Sequence, residues 1–180
     1  GRERSIQPGA LVAQVQRLVE QGHQEVVLTG TQLGSYGFDI PGAGLVRLVS
    51  RLLDETNVPR LRVSSLQPQE ITKELLDLWG NPRLCPHFHL PLQSGSEAIL
   101  RRMRRRYTPL QYANAVEAIR ARIPDAAITA DLIVGFAGET NARFEESYRL
   151  CQGVRFAGIH VFPYSARPGT SAAHFMDTVE

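Results

Sequence analysis

Short apolar runs rich in β-branched residues alternate with amphipathic helical stretches along this chain. Each run breaks into a polar loop before the next helix begins. The alternation recurs about every 30–35 residues, the length of one βα unit. Repetition of strand, loop and helix builds a parallel sheet with right-handed crossovers. Val26-Val27-Leu28, Leu61 to Ser65, Phe88-His89-Leu90, Ala127 to Val134 and Gly158 to Phe162 read as the five strands. Between them lie helix faces marked by Leu11, Val12, Val15, Leu18 and Val19, then by Leu45, Leu48, Val49, Leu52 and Leu53, and then by Ile71, Leu75, Leu76 and Trp79. Ala98, Ile99, Leu100 and Met103 begin another, Pro109 opens a longer one through Ile123, and Phe144, Tyr148 and Cys151 line the last. Five strands are too few for a closed eight-stranded barrel. The expected fold is therefore α/β, an incomplete parallel (βα) barrel of about five units, with a flat doubly wound sheet as the alternative. Residues 1–173 carry the pattern; after Pro168 it decays, and 174–180 read as the start of a linker.

The sharpest local signal is Asp131 to Thr140. The run Ile128 to Val134 ends abruptly at Gly135-Phe136-Ala137-Gly138, and Glu139 and Thr140 open a helix. Glycines there let the main chain approach a ligand closely, and a helix start presents unpaired N–H groups to it. Thr29-Gly30-Thr31-Gln32, Ser64-Ser65, Gln93-Ser94-Gly95-Ser96 and Tyr164-Ser165 stand at the ends of the other four strands. In a parallel sheet all five segments fall on one rim, where such folds bind small molecules. Solvation alone also accounts for polar loops, and helix capping alone accounts for Thr140 and Ser96.

Other clusters point less clearly. Cys85, His87 and His89 alternate along one strand and share a face, but three such positions lie nearly in line, which suits a tetrahedral metal poorly. Arg101, Arg102, Arg104, Arg105 and Arg106 suit phosphate, or simply a solvated helix face on which 101, 104 and 105 align. One arginine turned inward would pair a ligand carboxylate. No phosphate-loop, nucleophile-elbow or zinc-protease motif is present. The net charge of +2 does not by itself call for nucleic acid. Two cysteines allow one disulfide arithmetically, though nothing resembles a secreted scaffold, so a reducing, cytoplasmic setting is expected. No apolar run is long enough to span a bilayer. With no Met at position 1 and no lead-in, the chain is expected to be a piece of a longer protein.

Three segments in this order, HFHLPLQSGSEAILRRMRRRYT, DLIVGFAGET and HVFPYSARPGT, resemble the radical S-adenosylmethionine (SAM) methylthiotransferases from about Arg2 to Ala173. VVLTGTQLGSYG, CPHFHLPLQSGS and HVFPYSARPGT most resemble the branch that acts on threonylcarbamoyladenosine in tRNA. The resemblance implies a partial (βα) barrel, SAM and two [4Fe-4S] clusters. One cluster would cleave SAM to a 5′-deoxyadenosyl radical with electrons from a donor protein, and the other would supply sulfur. The outcome would be a methylthio group at C2 of a modified adenosine beside the tRNA anticodon. Thr29, Gly30 and Thr31 would match the site of the methionyl amino group, and Ser65, Gln93 and Ser94 the strand ends near the SAM ribose and methionyl part. Arg105 would pair the SAM carboxylate. Asp131, Gly135 and Phe136 would lie beside the adenine, and Phe162 and Tyr164 against the adenine or the substrate.

The sequence departs from the family in lacking the CxxxCxxC loop that holds the radical cluster and the first strand before it. Cys85 and Cys151 do not match cluster positions, and Ala137 stands where the family usually has proline. The segment alone is expected to be inactive. An ordinary barrel enzyme for a phosphorylated metabolite, and a module that only binds RNA through Arg101 to Arg106, are the alternatives.

Overall fold

The computed structural model describes residues 4–179. Six helices are joined to five strands: α1 Pro8–Glu20, β1 Glu25–Leu28, α2 Leu45–Glu55, β2 Arg60–Val63, α3 Lys73–Asp77, β3 His87–His89, α4 Glu97–Arg102, α5 Pro109–Arg122, β4 Ala127–Val134, α6 Asn141–Val154 and β5 Gly158–Pro163. Short 3₁₀ turns add to the loops, two of them flanking α3. Local chemistry sets several boundaries. Pro109 fits the first turn of α5, and Thr108 and Gln111 cap it reciprocally at 3.2 and 2.9 Å. Thr140 caps α6 by accepting from the Arg143 amide.

All strand pairs are parallel: β1 with β2, and β3 with β4 with β5. The pair and the trio meet at a seam where the Leu61 amide donates to Arg83 O (2.8 Å), Cys85 N to Leu61 O (2.9 Å) and Leu66 N to His89 O (3.0 Å). Pro86 between them faces the other neighbour, its carbonyl accepting from Ala127 N of β4 at 2.8 Å. Neighbours therefore follow chain order from β1 to β5. A doubly wound sheet would reverse its order at a switch point. Sequential order with right-handed crossovers instead puts every helix on one face, as in an open segment of a barrel wall.

Burial follows that geometry with a period of two. Val26, Leu28, Leu61, Val63, Phe88, Leu90, Ile128 and Ala130 are buried beneath the helices. The alternate residues point to the opposite, open face: Val27, Arg62, His87, His89, Thr129, Asp131, His160 and Phe162. The last helix departs from expectation. Ser147 and Val154 are its buried residues, whereas Phe144 and Tyr148 are exposed.

Two buried tyrosines fix the end of β3. Tyr112 donates its hydroxyl to Leu90 O at 2.7 Å, and Tyr107 donates to Pro91 O and Leu92 O at 2.9 and 3.1 Å. Burial pushes the Tyr107 phenol up to about 12 and the Tyr112 phenol up as well, so both remain donors at any ordinary pH. Tyr112→Phe removes the donor and retains the ring. It is expected to cost about 1–3 kcal/mol in urea unfolding, with backbone amide shifts concentrated at Leu90 to Gln93.

Candidate functional site

The strand ends are stitched into a continuous rim. Ser64 N donates to Leu28 O (2.9 Å), tying the exit of β2 to that of β1. Gln93 N donates to Asp131 O (2.8 Å) and accepts at its own carbonyl from Ile133 N (2.9 Å), joining the exits of β3 and β4. Tyr164 N donates to Val134 O (2.8 Å) and brings in β5. With the Leu66–His89 bond at the seam, every strand exit touches its neighbour. Thr29, Ser65, Gln93, Gly135 and Tyr164 thus stand along one edge, although they are spread over 136 residues of chain. Gln93 is only 9% exposed and takes a left-handed φ of 63°. That conformation is disfavoured for a side-chain-bearing residue and clusters at ligand sites.

Below this rim the open face carries a hydrogen-bonded row. Thr129 Oγ1 lies 3.3 Å from His87 Nε2 and 3.0 Å from His89 Nδ1. His89 Nε2 lies 3.2 Å from Asp131 Oδ2, and the other carboxylate oxygen of Asp131 lies 3.4 Å from His160 Nδ1. The row spans β3, β4 and β5. Burial is the main influence lowering the basicity of His87, with Arg62 and His89 adding to it. His160 closes the row with its side chain 77% exposed. Phe162 follows two residues on, paired in register with Ile133 and edge-on to the His160 ring. Cys85 and Glu25 lie 3.9 Å apart, and Glu25 is held below the usual carboxylate range first by its hydrogen bond from Arg60. Among the described residues, no group of three or more His, Cys, Asp or Glu is arranged to hold a metal. Both cysteines are free thiols.

At the β4 exit, Gly135 has φ 73°, and a Cβ built there would meet nothing within 4 Å. Open space therefore stands over this loop. Phe136 is buried against Tyr164, with ring centroids 4.8 Å apart and the planes near perpendicular, and its other neighbour is Phe175. The Tyr164 hydroxyl is buried without a partner among the described residues. Glu139 ties the loop together, accepting from Gly135 N at 2.6 Å.

Burial raises the Glu139 carboxyl above its ordinary value, and the Gly135 N–H offsets only part of this. The folded state therefore binds the proton more readily than the unfolded one. The ionised form costs stability at neutral pH, and that cost disappears as pH falls through the folded pKa. Glu139→Gln is expected to be at least as stable as the parent at pH 7. Its advantage should shrink on acidification in urea unfolding at pH 7 and pH 4.5.

The remaining candidates fall elsewhere on the rim. Thr29, Gly30 and Thr31 line a cavity of about 190 Å³ at the β1 exit, with Ser5, Tyr36 and Phe38 opposite. Ser94 is fully buried, and its hydroxyl is engaged with Ser147 Oγ (3.3 Å) and Ser96 N (3.1 Å). It shapes the loop from within the protein. Arg105 is exposed on the turn after α4, whose helical conformation ends at Arg102. Arg104 is left-handed at φ 56°, so 101, 104 and 105 do not share a helix side. The arginine turned toward the rim is Arg102, which pairs with Asp177 at 2.7 Å and lies over the Phe175 ring. Asp177 O also accepts from Gly138 N at 2.7 Å, so the segment read as a linker docks on the Gly135–Gly138 loop. Sequence reasoning missed this contact and the reach of Asp131 to two histidines. Its one available signal for the second was the polar alternation of Thr129 and Asp131 within an apolar run.

A family model described as the radical SAM superfamily matches residues 1–151. The chain is similar to the threonylcarbamoyladenosine tRNA methylthiotransferase MtaB of Bacillus subtilis (strain 168), at 40% identity over the whole chain and 40% of that protein. To the MtaB of Treponema pallidum (strain Nichols) it is 44% identical, over 96% of the chain and 35% of the relative. It is 42% identical to a tRNA-2-methylthio-N(6)-dimethylallyladenosine synthase of Parafrankia sp. (strain EAN1pec), over the whole chain and 37% of that protein. The chain thus spans about two fifths or less of the curated relatives it matches. Among solved structures, the radical SAM methyltransferase TsrM of Kitasatospora setae aligns at TM-score 0.68 and 18% identity, over 87% of this chain and 31% of that one. The coproporphyrinogen III oxidase HemN of Escherichia coli also aligns at TM-score 0.68, with 17% identity over 94% of this chain and 41% of that one.

Proposed function

The chain belongs to the radical SAM superfamily, and on that premise we propose that it is the SAM- and substrate-binding segment of a tRNA methylthiotransferase that modifies C2 of N6-threonylcarbamoyladenosine beside the anticodon. The observation that carries this reading is the stitched rim, where Gln93, Gly135 and Tyr164 stand on one edge although they follow three different strands, with Asp131 on the open face just below. SAM, bound with the reduced [4Fe-4S] cluster that members of the superfamily use, supplies one-electron chemistry able to activate an unreactive C–H bond.

The residues present suit SAM. The orphaned Tyr164 hydroxyl offers a buried hydrogen-bonding group, the space over Gly135 admits a flat ring to the main chain, and Phe136 stiffens that edge. The cavity at Thr29 to Thr31 offers hydroxyls and backbone groups to a short polar chain such as the methionyl part. An iron–sulfur cluster does not fit, because a three-thiolate set cannot be drawn from Cys85 and Cys151.

Polarity of the open face supports the finer substrate assignment. A dimethylallyl group would ask for an apolar wall, whereas His89, Asp131 and His160 offer donors and acceptors to a carbamoyl, hydroxyl and carboxylate. The reading implies tRNA as partner, an electron-donor protein and a cytoplasmic setting. Mass spectrometry of tRNA nucleosides from cells lacking the gene tests it. Loss of 2-methylthio-threonylcarbamoyladenosine, with the dimethylallyl counterpart intact, is the expected result, and persistence of the first would contradict it.

A further inference from the structure

Arg104, Arg105 and Arg106 follow one another on the turn between α4 and α5, and all three are exposed. Arg101 is paired with Glu97 and Arg102 with Asp177. Among the described residues the three that follow have no carboxylate partner. The turn is also fixed in place. Arg104 N donates to Arg101 O and Arg105 N to Leu100 O, closing α4 as a Schellman-type cap. The left-handed position in that cap normally falls to glycine, but here an arginine occupies it at φ 56°. Tyr107 then anchors the turn to Pro91 and Leu92, directly under Gln93 at the rim. Attraction to the helix C-terminus would account for one cation, not for three exposed in sequence.

We propose that this turn is a docking site for the sugar-phosphate backbone of the RNA whose modified base enters the open barrel. An open, unpaired run of guanidinium groups lacks the enclosure a small phosphorylated metabolite needs. It suits a polyanion that is positioned by its phosphates, while recognition of the base is left to the open face. The proposal rests on the methylthiotransferase reading for the identity of the RNA.

The test is fluorescence anisotropy of a labelled anticodon stem-loop RNA titrated with the chain across a sodium chloride series. Arg104→Glu with Arg106→Glu should weaken binding by tenfold or more at 0.1 M salt and flatten the slope of log affinity against log salt by about 2. Arg17→Glu with Arg155→Glu makes the same charge change away from the rim, at the end of α1 and just after α6, and should have far less effect. A milder pair, Arg104→Gly with Arg106→Gln, keeps the cap and should still lose affinity. Equal weakening by both Glu pairs, no weakening by the milder pair, or no binding by the parent chain would overturn the proposal. Docking that holds while the nucleoside profile stays unchanged in the deletion strain would overturn the activity and leave the docking site standing.

Discussion

Gly95→Ala is expected to destabilise the fold by about 3 kcal/mol or more, at the upper end of overpacking costs. A Cβ built on Gly95 would stand 2.5 Å from Ser147 Cα, 3.1 Å from Ser147 N and 3.2 Å from Glu146 O, all main-chain atoms of α6. No rotamer change relieves such a contact. Either α6 moves off the sheet or the loop leaves its place, and the loop carries Gln93 to the rim. The same approach lets the Ser147 hydroxyl accept from Gly95 N at 2.8 Å. Ser147→Ala keeps the space and removes that acceptor together with the contact to Ser94 Oγ, so it should cost about 1–3 kcal/mol. Urea unfolding of the two variants separates close approach from hydrogen bonding. If Gly95→Ala were no worse than Ser147→Ala, the packing account of this loop would be wrong.

On the proposed function, Asp131→Asn is expected to leave stability nearly unchanged and to lower methylthiolation by at least tenfold, a loss typical of displaced proton-handling groups. Asp131 is, among the described residues, the one carboxylate shared by His89 and His160. Which imidazole nitrogen carries a proton is set by the partner of the other nitrogen. An amide can accept from one histidine but presents N–H groups to the second, so the row loses its single orientation. The expected signature is a changed pH profile for turnover together with an unaltered melting temperature. Wild-type turnover in Asp131→Asn would remove the open-face row from the mechanism.

Much of this arrangement is legible in the chain. The β4 strand has the boundaries its apolar run indicates, and Gly135 opens the loop after it because a β-branched run there meets a residue free to take φ 73°. Alternation of Cys85, His87 and His89 also places them on one face, as a strand requires. What is not legible is long-range. Phe144 and Tyr148 suit a helix face by spacing, but the α4 loop presses on Ser147 and turns the small side of α6 inward. Ile71 to Trp79 reads as one helix, whereas α3 is one short stretch between 3₁₀ turns, the first of those turns fixed by Pro68 and by Glu70 accepting from Gln67 N, and α3 itself capped by Thr72. The arginine cluster reads as helix because arginine favours it. The cap at Arg104 overrides that preference. The return of Phe175 and Asp177 to the Gly135–Gly138 loop has no local signal, since it depends on where Arg102 is held 75 residues earlier.

The central claim is that strand exits from five separate βα units form one ligand-binding edge. Amide shifts in a ¹⁵N NMR titration of this chain with S-adenosylmethionine test it most directly. Saturable shifts are expected at Thr29 to Thr31, Ser65, Gln93, Gly135, Phe136 and Tyr164, all with a common dissociation constant, while the amino ends of the strands stay still. Shifts confined to one loop, shifts at Glu25, Arg60 and Ala127 instead, or none at millimolar cofactor would contradict it.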